Sequence, residues 1–375
     1  MTQKDRISRR QFVAIAFVSI LSPLVRRFPR TLAESAGRTA CLSAVFAALP
    51  LALVAAAAWV LFRRQPEGIG FSDVMQRILG ASASRALTAL YGLWLLFYAG
   101  FLLCSGAIRL VSALYLSAAP WVFVLFTALP CTVAALGQFR VIARMAMLLH
   151  PLMLCIPIAI CLLTLGEFDG SLLLPVTADS LVPNACAALE IVNLISISAY
   201  LAFAGDRLEG RFRLRDWVPW AAALLGLLAL MTAACIGMFG PELTAKLTFS
   251  FFLLARDVSA LGSLERVEPL VVALWVFSDF ILVSALLWIG AHNLRTALGF
   301  PDSAEDAPPR LTDLRRGRWL ILLCAALSVA AALLIPTEVD GFACFSERLV
   351  PRLNAVFALA LPLVILLLGL LRRKV

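Results

Sequence analysis

The sequence predicts an all-α polytopic membrane protein with ten transmembrane helices, built as a five-plus-five inverted repeat with broken helices 1 and 6. Composition points there first: 62% of the 375 residues are hydrophobic, 15% are charged, and the mean hydropathy is +0.94. In a soluble domain about a quarter of the residues are charged. Many windows of roughly 20 mostly apolar residues, long enough to span a bilayer, are the second observation. The distribution of Lys and Arg is the third.

The spans follow from apolar runs bounded by charged or turn-forming segments. The first run follows a basic start but precedes no small-residue cleavage site, so we expect it to remain as a membrane span rather than to be a signal peptide. The predicted spans are about 11–30, 41–62, 86–108, 117–137, 145–165, 184–205, 217–239, 267–291, 318–336 and 351–371.

The positive charges support ten spans with both termini in the cytoplasm. With that topology, 22 of the 32 Lys and Arg residues fall in cytoplasmic segments and 10 in outer segments, as the positive-inside rule requires. The net charge of +9 therefore reflects topology and contacts with anionic lipid, and we expect no nucleic-acid partner. The exception is the first outer segment, with Arg26, Arg27, Arg30 and Arg38. A shifted span, a re-entrant turn or an anionic contact would each explain it.

Spans 1 and 6 are predicted to be interrupted. Pro23 removes a helical hydrogen bond from the middle of span 1. Span 6 contains four polar residues, Glu190, Asn193, Ser196 and Ser198. Interrupted helices at corresponding positions of two halves are typical of an inverted repeat with a midplane binding site. The alternative is a structural kink at Pro23 and polar groups that cross-link helices.

We accordingly expect a single transmembrane domain over residues 1–375, with one repeat at about 11–165 and the other at about 184–371. A broken span would offer main-chain N–H groups to a ligand carboxylate and C=O groups to an ammonium. The candidate ligand-binding side chains are Ser19, Ser22, Tyr98, Glu190, Asn193, Ser196 and Asp279. As alternatives, mid-span serines bond their own helix and tyrosines lie at the lipid interface.

Asp279 lies within the apolar run of span 8. A charge at the centre of a span costs about 2.5–3.5 kcal/mol on insertion scales, so it is expected to face the bundle or a water-filled cavity. A stripe of one helical face includes Glu268, Val272, Trp275 and Asp279. For Asp279 and Glu190 three functions stay open: a proton site, a cation site or a ligand contact. The alternative is a structural pair with an arginine such as Arg109 or Arg144.

The sequence indicates no enzyme, no cofactor and no metal site. It contains no phosphate-binding glycine loop, no metal-ligand spacing and no nucleophile with a nearby base. Its nine cysteines form no CxxC motif and no Cys/His cluster.

The stretch at 249–288, FSFFLLARDVSALGSLERVEPLVVALWVFSDFILVSALLW, resembles spore germination proteins, the B subunits of GerA-type nutrient germinant receptors. The resemblance rests on Arg256, on the Glu-Arg-Val-Glu motif at 265–268 and on Trp275. GRTACLSAVFAALP at 37–50 and the stretches at 141–144 and 173–175 are also similar. The chain departs from the family where Ser22-Pro23 replaces a glycine-containing break and where Cys41 replaces a tryptophan.

The resemblance implies the amino acid–polyamine–organocation transporter fold, which is LeuT-like, and residence in the inner membrane of the spore. It also implies a complex with an A-type membrane subunit and a C-type lipoprotein, in which the B subunit binds a small nutrient such as an amino acid. Two alternatives remain: a proton- or sodium-coupled amino-acid transporter of the same fold, and a ligand-gated water or ion channel.

The polar cluster before span 8 predicts a structural latch between the outer loop and that span. Glu265 and Glu268 lie three residues apart, and their like charges repel. We expect Arg256 or a cation between them, with Arg266 in the same cluster; direct ligand contact is the alternative.

Overall fold

The computed structural model describes residues 5–114, 118–210, 213–257, 267–300 and 311–374. In this part of the chain the regular elements are helices. In addition, one isolated parallel β-bridge pairs Ile7 with Leu208. The first eleven α-helices are α1 Arg9–Ala36, α2 Ser43–Arg63, α3 Phe71–Leu79, α4 Ala81–Leu114, α5 Pro120–Leu136, α6 Phe139–Leu163, α7 Leu181–Ile195, α8 Leu214–Lys246, α9 Ser250–Asp257, α10 Glu268–Ala297 and α11 Leu311–Leu334.

Ten membrane-crossing segments follow the predicted order. Eight stretches of the described chain are long and apolar enough to cross a membrane, and the first of these, Arg9–Arg63, includes both α1 and α2. The apolar helix α5 is shorter, at 17 residues. The last helix, described below, is one of the eight stretches. Together these segments confirm the predicted fold class of an all-helical polytopic membrane protein.

Helix α1 is helical throughout its 28 residues, although Pro23 and Pro29 lie inside it. The interruption predicted in span 1 is therefore not a non-helical gap. The helix also continues six residues beyond the predicted end of the span at residue 30. Consequently Arg26, Arg27 and Arg30 are helical residues and not part of a loop.

Span 6 does change its winding. The α-helical turns of α7 end at Ile195, and a 3₁₀ segment, Ser196–Arg207, continues the chain with a kink at Ala204. Runs of 3₁₀ helix longer than three or four residues are uncommon because their hydrogen-bond geometry is poorer. The change begins at the polar cluster that the sequence marks in span 6.

The last helix, residues 339–371, alternates between two windings. It consists of α12 Val339–Ala343, a π segment Cys344–Leu349, α13 Val350–Asn354, a second π segment Ala355–Ala360 and α14 Leu361–Leu371. The wider π turns interrupt the regular α-helical hydrogen-bond pattern, and they occur frequently at functional sites.

The interior of the bundle lies between α1, α4, α8 and α10, which make the most extensive helix contacts in the described chain. The N-terminal segment ties one end of this bundle together. Ile7 pairs with the backbone at Arg207 and Glu209, and Asp5 accepts hydrogen bonds from two N–H groups at the start of α6. Ser8 and Gln11 then form the capping box that starts α1.

Candidate functional site

Polar side chains from α1, α4 and α10 meet in the interior of the bundle. On α1, Ser19, Ser22 and Arg26 are spaced by three and four residues, which places them on one helical face. On α4, Tyr98, Ser105 and Arg109 are spaced by seven and four. On α10, Trp275, Ser278 and Asp279 belong to the predicted inward stripe or lie next to it. We call this group the arginine cluster.

An ion pair between Arg109 and Asp279 forms the centre of the arginine cluster. The two side chains are 3% and 8% exposed, and Arg109 Nη2 donates to Asp279 Oδ2. Arg109 Nη1 also donates to Ser22 Oγ at 2.7 Å, and the guanidinium lies 5.3 Å from the centre of the Trp275 ring. Removing one partner of such a pair would leave an uncompensated buried charge. The arrangement confirms that Asp279 faces the bundle, with Arg109 as its partner.

The hydroxyl of Ser278 is inserted into one turn of α1. It accepts the Ser22 N–H at 2.8 Å and donates to the Val18 carbonyl at 2.5 Å. In a regular α-helix these two main-chain groups would bond each other. Pro23 has no N–H, so the Ser19 carbonyl one residue further on loses its helical donor as well. The disturbance predicted in span 1 is therefore one opened turn held by a side chain of α10.

All four arginines of the unexplained first outer segment have partners within the protein. Arg26 Nη1 donates to Ser105 Oγ, and Arg27 Nη1 donates to the Ser346 carbonyl at 2.7 Å. Arg30 pairs with Glu34 at 2.7 Å, and Arg38 Nη1 donates to the Leu174 carbonyl at 2.9 Å. These contacts account for charges that run against the positive-inside pattern.

A second, neutral cluster joins α4, the 3₁₀ segment and the last helix; we call it the aromatic cluster. Trp94 Nε1 donates to Tyr200 Oη, which donates to Asn354 Oδ1, both at 2.8 Å. Tyr98 stacks on Trp94 and lies near Asn354. Tyr98 is within electrostatic range of Arg26 and Asp279, so the two clusters adjoin.

Three carbonyls of the last helix accept side chains from other spans. Ser346 in the first π segment accepts Arg27, and Phe357 in the second accepts Tyr91 Oη at 2.8 Å. Pro351, between the π segments, accepts Asn193 Nδ2 at 3.0 Å. Tyr91 is 1% exposed, so it is buried between helices and does not lie at the lipid interface. The irregular winding therefore links the last helix to spans 1, 3 and 6.

The candidate residues of span 6 lie apart from the arginine cluster. Glu190 is exposed on α7, and its electrostatic neighbours are Arg27 and Glu34. Asn193 bonds the last helix, as described above. Ser196 Oγ bonds the Asn193 carbonyl of its own helix at 2.6 Å, which is the ordinary alternative for a mid-span serine. Ser19 is buried, and its hydroxyl has no hydrogen-bond partner within the described chain.

The predicted latch is only partly described. Glu265 and Arg266 lie outside the described residues. Arg256 is exposed at the end of α9, and Glu268 begins α10 with Oε2 buried. No ion pair between Arg256 and Glu268 is seen in the described chain. The latch, with Arg256 or a cation between Glu265 and Glu268, stays a prediction.

Two cavities accompany these clusters. A void of about 20 Å³ borders Gly106, Arg109, Trp275 and Asp279, which is room for about one water molecule. A larger cavity of about 170 Å³ lies between α2, the 3₁₀ segment, the start of α8 and the last helix. Its walls are mostly apolar and include Ser196.

Sequence reasoning did not identify Arg26, Ser105, Ser278 and Asn354 as members of these clusters. A signal was present for the first three. Arg26 follows Ser22 by four residues, and Ser105 precedes Arg109 by four, so each arginine extends a polar helical face. Ser278 follows Trp275 of the predicted inward stripe by three residues. Asn354 had no such signal, because its partner Tyr200 lies more than 150 residues away.

The sequence from residue 6 to residue 305 matches the family described as spore germination protein. The chain belongs to this family. No curated protein matches it. Among solved structures, the fold is similar to that of MhsT in its complex with L-phenylalanine, with a TM-score of 0.66 and 16% sequence identity. The alignment covers 98% of this chain and 90% of MhsT.

The structural likeness confirms a LeuT-like fold for this spore germination protein. Its family and its apolar helices indicate an integral membrane protein with a transporter- or receptor-like role. In that architecture, spans 1, 3 and 8 correspond to α1, α4 and α10, the helices that build the arginine cluster.

Proposed function

We propose that this spore germination protein is the nutrient-binding B subunit of a germinant receptor. Membership of the spore germination family, over residues 6–305, carries the proposal. The ligand is a small nutrient, and the complex of the structural neighbour with L-phenylalanine supports an amino acid. Its site lies at the arginine cluster, between α1, α4 and α10.

The proposed setting is the inner membrane of the spore, with both termini in the cytoplasm. The 22 of 32 Lys and Arg residues in the predicted cytoplasmic segments support that orientation. An A-type membrane subunit and a C-type lipoprotein complete the complex, as the resemblance to GerA-type receptors implies.

The opened turn of α1 offers a physical route from binding to signal. Ser278 holds Val18 and Ser22 apart, and Arg109 holds the Ser22 hydroxyl. A ligand that competes for Arg109 or Ser22 would release these contacts together. The change would shift α1 against α10, and a shift of packed helices is a common form of switching.

Germination assays test the receptor function directly. Spores that lack the chain should lose their response to at least one nutrient in an amino-acid panel, and re-expression should restore it. Unchanged germination with every nutrient would contradict the proposal.

A coupled amino-acid transporter is the second candidate, because Asp279 is a carboxylate buried within a span of a transporter fold. Uptake of labelled phenylalanine and alanine into proteoliposomes separates the two candidates. Concentrative uptake driven by a proton or sodium gradient would contradict a pure receptor. Ligand-dependent ion or water flux without concentration would instead favour a channel.

Glu190 provides a matched pair of variants. Glu190 and Glu34 are both exposed carboxylates, and Glu34 is held by Arg30. Glu190 lies outside the arginine cluster but within electrostatic range of Arg27, which bonds the last helix. Because losing its charge would disturb that contact, we expect Glu190→Gln to impair the nutrient response at normal membrane levels and Glu34→Gln to leave it intact. Equal responses of the two variants would remove Glu190 from the proposed pathway.

A further inference from the structure

Arg26 is a positive charge inside the bundle without a carboxylate of its own. Its guanidinium has five N–H donors, and the hydrogen bond described for it goes to the hydroxyl of Ser105, a neutral group. Asp279 is the one carboxylate among its electrostatic neighbours in the described chain. That carboxylate is already the hydrogen-bonded partner of Arg109.

The surroundings of Arg26 leave an excess of positive charge. Arg27 and Arg109 are its cationic neighbours. Together the three guanidinium groups face two carboxylates, Asp279 and the Glu190 near Arg27. One positive charge is therefore not balanced by these groups, in a place where a charge is costly unless it is paired.

Arg26 is also partly accessible. Val25 on one side is 1% exposed and Phe28 is 6% exposed, whereas Arg26 has intermediate exposure. Because its guanidinium donates to Ser105 of α4, Arg26 lies where α1 and α4 meet. A small molecule that reaches this contact would meet the guanidinium.

The main chain of α1 cannot take this role. The Ser22 N–H is bonded to Ser278 Oγ, and Pro23 has no N–H. The donors that an opened helix would normally present to an anion are thus occupied or missing at this turn. Arg26, one helical turn beyond Ser22, supplies donors in their place.

We infer that Arg26 and Ser105 form a carboxylate subsite, and that the ligand is a small carboxylic acid with a net negative charge, which among amino acids means an acidic one. The inference deepens the proposed function, on which it rests for the identification of a nutrient site. No carboxylate near Arg26 is free to pair with an ammonium, since Asp279 is held by Arg109. An anionic acid is therefore favoured over a zwitterion of the same size.

The test uses four compounds of nearly equal size and different charge: lactate, lactamide, alanine and alaninamide. Binding is measured as saturable thermal stabilisation of the full chain in lipid nanodiscs at constant ionic strength. We expect lactate to bind most tightly and lactamide and alaninamide not to bind. Arg26→Gln should weaken lactate binding by about tenfold to a hundredfold, the range for losing a hydrogen bond between charged groups.

Two further variants guard the interpretation. Arg26→Lys keeps the charge but loses the planar fork, so we expect it to bind lactate more weakly than the wild type. This variant replaces Arg26→Gln in the test if Arg26→Gln fails to fold. Arg38→Gln removes an exposed arginine that bonds the Leu174 carbonyl and should bind lactate as the wild type does. Absence of saturable lactate binding to the wild type, or equal binding to all three variants, would overturn the inference.

Failure of the subsite and failure of the proposed function give different results. If lactate does not bind but spores without the chain lose a nutrient response, the subsite is wrong and the receptor function stands. If lactate binding depends on Arg26 but germination is unchanged without the chain, the subsite stands and the receptor function is wrong.

Discussion

The arginine cluster and the aromatic cluster adjoin each other but are stabilised in different ways. The arginine cluster holds charges in the interior, with Arg109 shared between Asp279 and Ser22. The aromatic cluster is neutral. Its hydrogen bonds run from Trp94 to Tyr200 and from Tyr200 to Asn354, and the Trp94 ring stacks on two neighbouring rings. Charged groups buried in pairs are costly to separate, whereas neutral hydrogen bonds are individually modest. In the proposed receptor, the arginine cluster is the part that would respond to a charged ligand, whereas the aromatic cluster would keep the helices in place.

The largest effect should come from removing one charge of the buried pair. Asp279→Asn leaves Arg109 without its carboxylate and should destabilise the protein by about 3–5 kcal/mol. Thermal unfolding in nanodiscs measures the loss. The double variant Arg109→Met/Asp279→Leu removes both charges and should recover most of the stability, because an apolar pair of similar volume is often neutral or stabilising. A double variant as unstable as Asp279→Asn would show that the unpaired charge of Arg109 does not cause the loss of stability in Asp279→Asn.

A smaller effect is expected in the aromatic cluster. Tyr200→Phe removes the hydroxyl between Trp94 and Asn354 and keeps the ring, so two buried polar groups lose their partner. The expected cost is about 1–3 kcal/mol. Unfolding under the same conditions as for Asp279→Asn gives the ratio of the two effects. A loss larger than that of Asp279→Asn would reverse the contrast between the clusters.

Ser278→Ala should cost still less, at about 1 kcal/mol or below. The Val18 carbonyl and the Ser22 N–H are helical partners, so they can bond each other once the hydroxyl is gone. Hydrogen exchange at Ser22 reports the change, and we expect slower exchange in the variant because the turn closes. Faster exchange together with a large loss of stability would mean that the turn cannot close without Ser278.

The smallest effect is expected for the Arg30–Glu34 pair near the end of α1. The two side chains are 34% and 44% exposed, and an exposed pair four residues apart contributes about 0.3–0.5 kcal/mol. Arg30→Ala should therefore change thermal unfolding very little. A loss comparable to that of Tyr200→Phe would show that Arg30 contributes far more than an exposed ion pair does.

Hydropathy and helical spacing predicted the spans and the inward direction of Trp275 and Asp279, because both follow from the residues of one helix. The partners of these residues were harder to predict from the sequence. Arg109 could only be named as one of two candidates, because pairing across α4 and α10 depends on how distant helices pack. Glu190 shows the limit most clearly: its polarity placed it in the interior, but its side chain is exposed on α7. Arg26 was counted with the first outer segment because it is charged, although helix α1 continues to Ala36.

The claim that a nutrient binds beside the Arg109–Asp279 pair is tested most directly by a pair of glycine variants. A Cβ at Gly106 would lie 3.3 Å from Asp279 Oδ2 and 3.4 Å from Arg109 Nη2, whereas a Cβ at Gly226 would meet nothing within 4 Å. Both glycines lie in helices, α4 and α8, so valine at each carries a similar intrinsic cost. We predict that spores with Gly106→Val lose sensitivity to the nutrient at normal membrane levels of the protein, and that spores with Gly226→Val respond as the wild type does. Equal sensitivity of the two variants would contradict a binding site at the arginine cluster.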